Sequence, residues 1–127
     1  MKWFKLIQHV WIRFRYPVSM PEDIALALGI QLSNTMPFKD LVTQLSRASC
    51  PKRLTKFMPR SAAEEAFSNA IRTERFCEKT LISYYFSEGW LEFVLHFDRS
   101  SRLRRIYLLH RAIQTDEGIE LPLAKAS

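Results

Sequence analysis

The chain has 127 residues, 47% of them hydrophobic and 25% charged, with a formal net charge of +6. That length suits one domain, because dividing it leaves two marginal cores, and the apolar content excludes a disordered chain. The positive balance directs attention to nucleic acid, anionic lipid or an acidic protein as partner, and says nothing about fold.

The opening stretch, MKWFKLIQHVWIRFRYP, mixes aromatics with Lys2, Lys5, Arg13 and Arg15 and contains no acid. At helical spacing Trp3, Leu6, Ile7, Val10, Trp11 and Phe14 share one face, and Lys2, Lys5, His9 and Arg13 share the other. The spacing predicts a helix over residues 2–12 that turns extended toward Pro17. Gln8, His9 and Arg13 interrupt the apolar run, which argues against a secretory signal. No stretch reaches the ~18 apolar residues of a membrane span.

Four further helices are predicted. In SMPEDIALALG, Ser19 and Glu22 form a capping-box pattern, Pro21 suits a first turn and Gly29 a C-terminal cap, giving a helix over 21–28. Pro37 opens a second, with Phe38, Leu41, Val42 and Leu45 on one face. A third follows Ser49 and ends at Pro59. The fourth, RSAAEEAFSNAIRTERF, carries a Ser61–Glu64 capping box and a stripe of Ala63, Phe67, Ala70, Ile71 and Phe76.

After Cys77 the period changes from 3.6 to 2. KTLISYYFSEGWLEFVLHFDRSSRLRRIYLLHR reads as a three-stranded antiparallel meander, and GIELPL adds a short edge strand limited by Pro122. Glu88-Gly89 serves as a two-residue turn, which pairs Phe86 with Leu91, Tyr84 with Phe93 and Ile82 with Leu95. One face is then wholly apolar, and the other mixes Ser83, Tyr85, Trp90, Glu92, Val94 and His96. The expected fold is α+β: four or five short helices packed on one face of a three- to four-stranded antiparallel meander. The chain reads as one domain, mainly helical over 1–76, a meander over 77–123 and a tail over 124–127.

Chemistry-bearing motifs are few. Histidines stand at 9, 96 and 110 without metal-type spacing, and there is neither a glycine-rich phosphate loop nor a GxSxG. His96 and Asp98 share a strand face, but Asp98 begins a turn, where aspartate is common. Cys50 and Cys77 are too far apart for a CxxC pair and read as reduced thiols of a cytoplasmic protein. LALGIQLSNTMPF has a helix-turn-helix outline, but Pro37 falls inside its second helix at a cost of ~3 kcal/mol. The chain therefore reads as non-enzymatic, without cofactor or metal.

Two binding surfaces remain. From Leu41 to Ala63 there is no acid, and Arg47, Lys52, Arg53, Lys56 and Arg60 make a polyanion-binding candidate. That segment lacks the interleaved exposed aromatics that single-strand binders use. A second basic group, Arg99, Arg102, Arg104 and Arg105, follows Asp98. The aromatics Trp3, Trp11, Tyr85, Trp90 and Tyr107 make a protein-contact candidate, for a partner or a homodimer. The basic amphipathic N-terminus adds a third expectation, peripheral attachment to an anionic membrane.

The residues ISYYFSEGWLEFVLHFDRSSRLRRIYL resemble the small helix-plus-meander modules of the SmpA/BamE type, themselves similar to β-lactamase inhibitor protein repeats. The resemblance implies a non-enzymatic protein-binding scaffold. The chain departs from those modules in having no lipobox cysteine and about 40 residues between Leu41 and the first strand of the meander.

Overall fold

The computed structural model describes residues 18–32, 36–47, 51–110 and 118–125. The N-terminal helix expected over 2–12, Trp3, Trp11 and Cys50 lie outside the described residues, as does the Arg47 side chain.

Among the described residues there are three helices rather than the four or five expected: α1 (Pro21–Leu28), α2 (Phe38–Arg47) and α3 (Arg60–Ala66). Helix α1 ends as predicted, with Gly29 in the left-handed region at φ 73° and its N–H donating to Ala25 O at 2.8 Å. Its start at Pro21 is also the expected one, but the cap is Met20 rather than Ser19. The Asp23 carboxylate accepts from the Met20 N–H at 2.8 Å, while Ser19 is drawn to the sheet. Ser19 N–H donates to Tyr85 O at 2.6 Å, and Tyr85 N–H donates to Ser19 Oγ at 3.2 Å. In α2 the Leu41 N–H donates to Pro37 O, and Leu41 and Leu45 are buried.

The helix expected between Ser49 and Pro59 is replaced by a turn at 52–53 and a two-residue strand, β1 (Thr55–Lys56). Its backbone donors are claimed elsewhere. Arg53 N–H donates to Leu28 O at 3.2 Å, closing the end of α1, and Phe57 N–H donates to Leu103 O at 2.7 Å. The long helix expected from Arg60 to Phe76 stops at Ala66, and Ser68 and Asn69 fall in a turn. Arg72–Arg75 then forms strand β2 instead of a last helical turn. Tertiary pairing overrides a helical propensity here: the edge of the next strand offers hydrogen bonds to a segment whose helical stripe was already thin. Phe76, expected in that stripe, is exposed.

Among the described residues the sheet is antiparallel and five-stranded, in the order β2, β3 (Lys79–Phe86), β4 (Gly89–Phe97), β5 (Leu103–Leu109), β6 (Ile119–Leu121). The β3–β4 register is two residues from the expected one: Tyr84 pairs with Leu91, Ile82 with Phe93, and Phe86 with Gly89. Ser87-Glu88 therefore forms the turn, and Gly89 begins β4 at φ 121°. A two-residue shift preserves the faces, because side chains alternate with period 2. The inner face is the one predicted, with Ile82, Tyr84, Leu91, Phe93 and Leu95 all fully buried. β5 continues it through Ile106 and Leu108, with a register shift at His96/Phe97. The three helices pack on this face, as Phe67 against Phe93 and Phe38 against Phe86 show, with ring centroids 5.4 and 5.2 Å apart. The Tyr84 hydroxyl donates to Asn69 Oδ1 at 2.8 Å, and Asn69 Nδ2 donates to Asp23 O, tying the sheet to α1. Burial raises the Tyr84 phenol pKa well above its ordinary value.

β6 is the predicted edge strand. Beyond it, where a tail was expected, β7 (Ala124–Lys125) pairs in parallel with β1. Thus the segment before α3 and the end of the chain both close on the β5 side of the sheet.

Candidate functional site

Four cations of the proposed polyanion segment, Lys52, Arg53, Lys56 and Arg60, have described side chains, and these do not form one surface. Arg53 is exposed but donates to Leu26 O at 2.8 Å, beside the end of α1, with Lys52 exposed next to it. Arg60 is turned inward. Its guanidinium donates to the carbonyls of Phe76, Cys77 and Lys79 and to Thr80 Oγ1, at 2.8–3.0 Å. It also lies 4.8 Å over the Phe97 ring, and only 11% of the side chain is exposed. Glu64 Oε2 accepts from Thr80 Oγ1 at 2.6 Å and from Arg75 Nε at 3.0 Å, and lies 3.4 Å from Arg60 Nε. This cluster pins α3 to the β2–β3 turn, and its donors are committed. Arg60 serves the fold.

The aromatic protein-contact set divides in the same way. Tyr85 is buried on the outer sheet face, and its ring meets Trp90 at 5.1 Å. Arg72 lies 4.9 Å over Trp90, and Tyr107 meets the His96 ring at 5.0 Å. Trp90 and Tyr107 are half-buried. The structure thus brings Tyr85 and Trp90 together on a face that is partly closed. The Tyr85 hydroxyl is buried and has no hydrogen-bond partner among the described residues.

A third grouping joins parts that the sequence keeps apart. The β1–β7 pairing sets Lys56 beside Lys125. Phe57, the next residue, adopts φ 71° and leaves its ring 46% exposed. For a residue with a Cβ that conformation costs ~1–2 kcal/mol. The Arg104 guanidinium lies 4.6 Å over this ring, and Lys56 Nζ is 5.5 Å from its centroid. Arg104 Nε also donates to Asp98 Oδ2 at 3.0 Å, and Arg105 approaches Glu120 at 3.8 Å. A shallow cleft of about 210 Å³, lined among others by Lys56, Arg104, Glu120 and Pro122, opens beside them. Lys56, Arg104, Arg105 and Lys125 stand in this rim, with Asp98 and Glu120 as the acids that meet its arginines.

Asp98 organises the turn that carries the arginines. Its Oδ1 accepts from the N–H groups of Ser100 and Arg102 at 2.9 and 3.0 Å. The Arg102 N–H is the main cause that holds this carboxyl below the usual carboxylate range; some desolvation opposes it, and the Arg104 guanidinium adds to it.

Among the described residues no three of His, Cys, Asp and Glu converge as a metal site. His96 packs its ring on Tyr107, and Asp98 Oδ1 accepts from the N–H groups of its own turn. Cys77 is exposed. Phe57 was missed as a functional candidate because the segment reads as helix, where Phe57 faces the core. Its one sequence signal is an aromatic residue directly after a lysine in an acid-free run.

Comparison with protein-family models, with curated proteins and with solved structures finds no match. The function is therefore read from the geometry alone.

Proposed function

We propose that this chain is a non-enzymatic binding module that engages an anionic macromolecule through the rim formed by Lys56, Phe57, Arg104, Arg105 and Lys125. The observation that carries the reading is the convergence of Lys56 and Arg104 on one exposed phenyl ring, with Lys125 paired beside Lys56. Like charges set opposite each other in a sheet repel. The fold accepts this cost with little acid nearby, and an anion bound across the pair removes it. Each contact made with a polyanion releases condensed counterions, so binding weakens steeply with salt. Heparin chromatography of Lys56→Glu/Arg104→Glu tests the reading: early elution supports it, and unchanged retention contradicts it.

A second reading is association with another protein or a second copy. It is favoured by exposed Val18 and Met20, which border a cleft of about 200 Å³ with Met36, Phe38 and Phe86 at the end of the sheet. The resemblance of the meander to SmpA/BamE modules points to the same class of role. This contact is apolar, so it persists in salt that disrupts the rim. Concentration-dependent mass in sedimentation separates the two.

A further inference from the structure

We infer that the anionic partner of the rim is single-stranded nucleic acid, with Phe57 as the residue on which a base stacks. The inference rests on the polyanion reading above and names its ligand. Three observations carry it.

First, the rim supplies what the basic segment lacks in sequence, an aromatic side chain in solvent among cations. Phe57 is 46% exposed, and its neighbours on the ring are Lys56 and Arg104. Single-strand binders combine a positive track for the backbone with aromatic faces for the bases. The Lys56 ammonium, 5.5 Å from the centroid on a flexible stem, is readily displaced toward a phosphate when a base arrives. The Arg104 guanidinium stays, held by Asp98, and its plane extends the stack.

Second, the exposed ring is held at a backbone cost. Phe57 sits at φ 71° between two hydrogen bonds to the rest of the fold, Phe57 N–H to Leu103 O and Leu103 N–H to Met58 O. Glycine is the ordinary occupant of that conformation. A phenylalanine there still leaves 46% of its surface in solvent, and strained residues concentrate at sites of function.

Third, the cation closest to the ring is an arginine, Arg104, which Asp98 holds in place. Arg104 and Arg105 both line the adjoining cleft, and a guanidinium fork matches phosphate oxygens in pairs. An anionic bilayer asks less of geometry, and it rewards several inserted apolar side chains, where the rim offers one.

Fluorescence anisotropy with a short labelled oligonucleotide, single-stranded and as its duplex, tests the inference on the full chain. The expected result is tighter binding of the single strand. Phe57→Gly should lose roughly tenfold in affinity with an unchanged salt slope and an unchanged or higher urea midpoint, and Phe57→Trp should restore binding. Equal binding of single strand and duplex, or full affinity in Phe57→Gly, overturns it. So does Phe57-dependent sedimentation with phosphatidylserine vesicles when the oligonucleotide does not bind. In those cases, loss of heparin retention in Lys56→Glu/Arg104→Glu would leave the polyanion reading standing. Retention unchanged there removes both.

Discussion

The Arg60 guanidinium closes over the Phe97 ring at 4.8 Å while donating to three backbone carbonyls of the β2–β3 turn. One side chain thereby gathers three carbonyls of the tight turn, of which Lys79 O also accepts the Phe76 N–H. Removing it breaks these bonds and the contact with Glu64, which then keeps Thr80 and Arg75. Arg60→Ala is expected to cost about 2–4 kcal/mol in urea unfolding. Arg60→Lys should recover little, because a single ammonium cannot reach the same acceptors as the planar fork.

Tyr85 presents the opposite situation, a buried hydroxyl on the outer sheet face without a partner among the described residues. Leaving such a group unsatisfied costs about 1–3 kcal/mol. Tyr85→Phe keeps the ring contact with Trp90 and removes the polar atom. It should raise the urea midpoint by an amount equivalent to about 1 kcal/mol, whereas Tyr85→Ala should lower it.

The Asp98 turn gives a pH signature. Its folded carboxyl titrates below the ordinary value, chiefly because the Arg102 N–H is directed at it. A depressed acid contributes stability that is present above its unfolded pKa, about 3.9, and is lost as pH falls through the folded value. The stability gap between the wild type and Asp98→Asn is therefore predicted to be constant near neutrality and to shrink below about pH 4. Because Asp98 also holds Arg104 over Phe57, the same variant should weaken polyanion binding at neutral pH.

The inner face of the sheet was legible in the sequence because Ile82 to Phe97 alternates without a break, and alternation survives a two-residue slip. The slip itself was not legible. Glu88-Gly89 looks like a turn pair, but Gly89 is used as the first residue of β4. Helix α1 was readable from Pro21 and Gly29, while Ser19 was misread as its cap because its partner, Tyr85, is distant in sequence. The segments 52–57 and 72–75 look helical by composition and become strand or turn through pairing with β5, β7 and β3. For the same reason the candidate site was half visible. Both basic groups stand out by charge, but only the fold sets Lys56 and Arg104 on one phenyl ring and turns Arg60 inward.

The most direct measurement is the salt at which the protein leaves a heparin column, compared for two double reversals. Lys56→Glu/Arg104→Glu and Lys52→Glu/Arg53→Glu change the net charge equally but act at different places. The rim account predicts that the first elutes at markedly lower salt, with a salt slope reduced by about two, while the second stays close to the wild type. Equal shifts in both would show that net charge alone governs retention, and would contradict a binding site at the Phe57 rim.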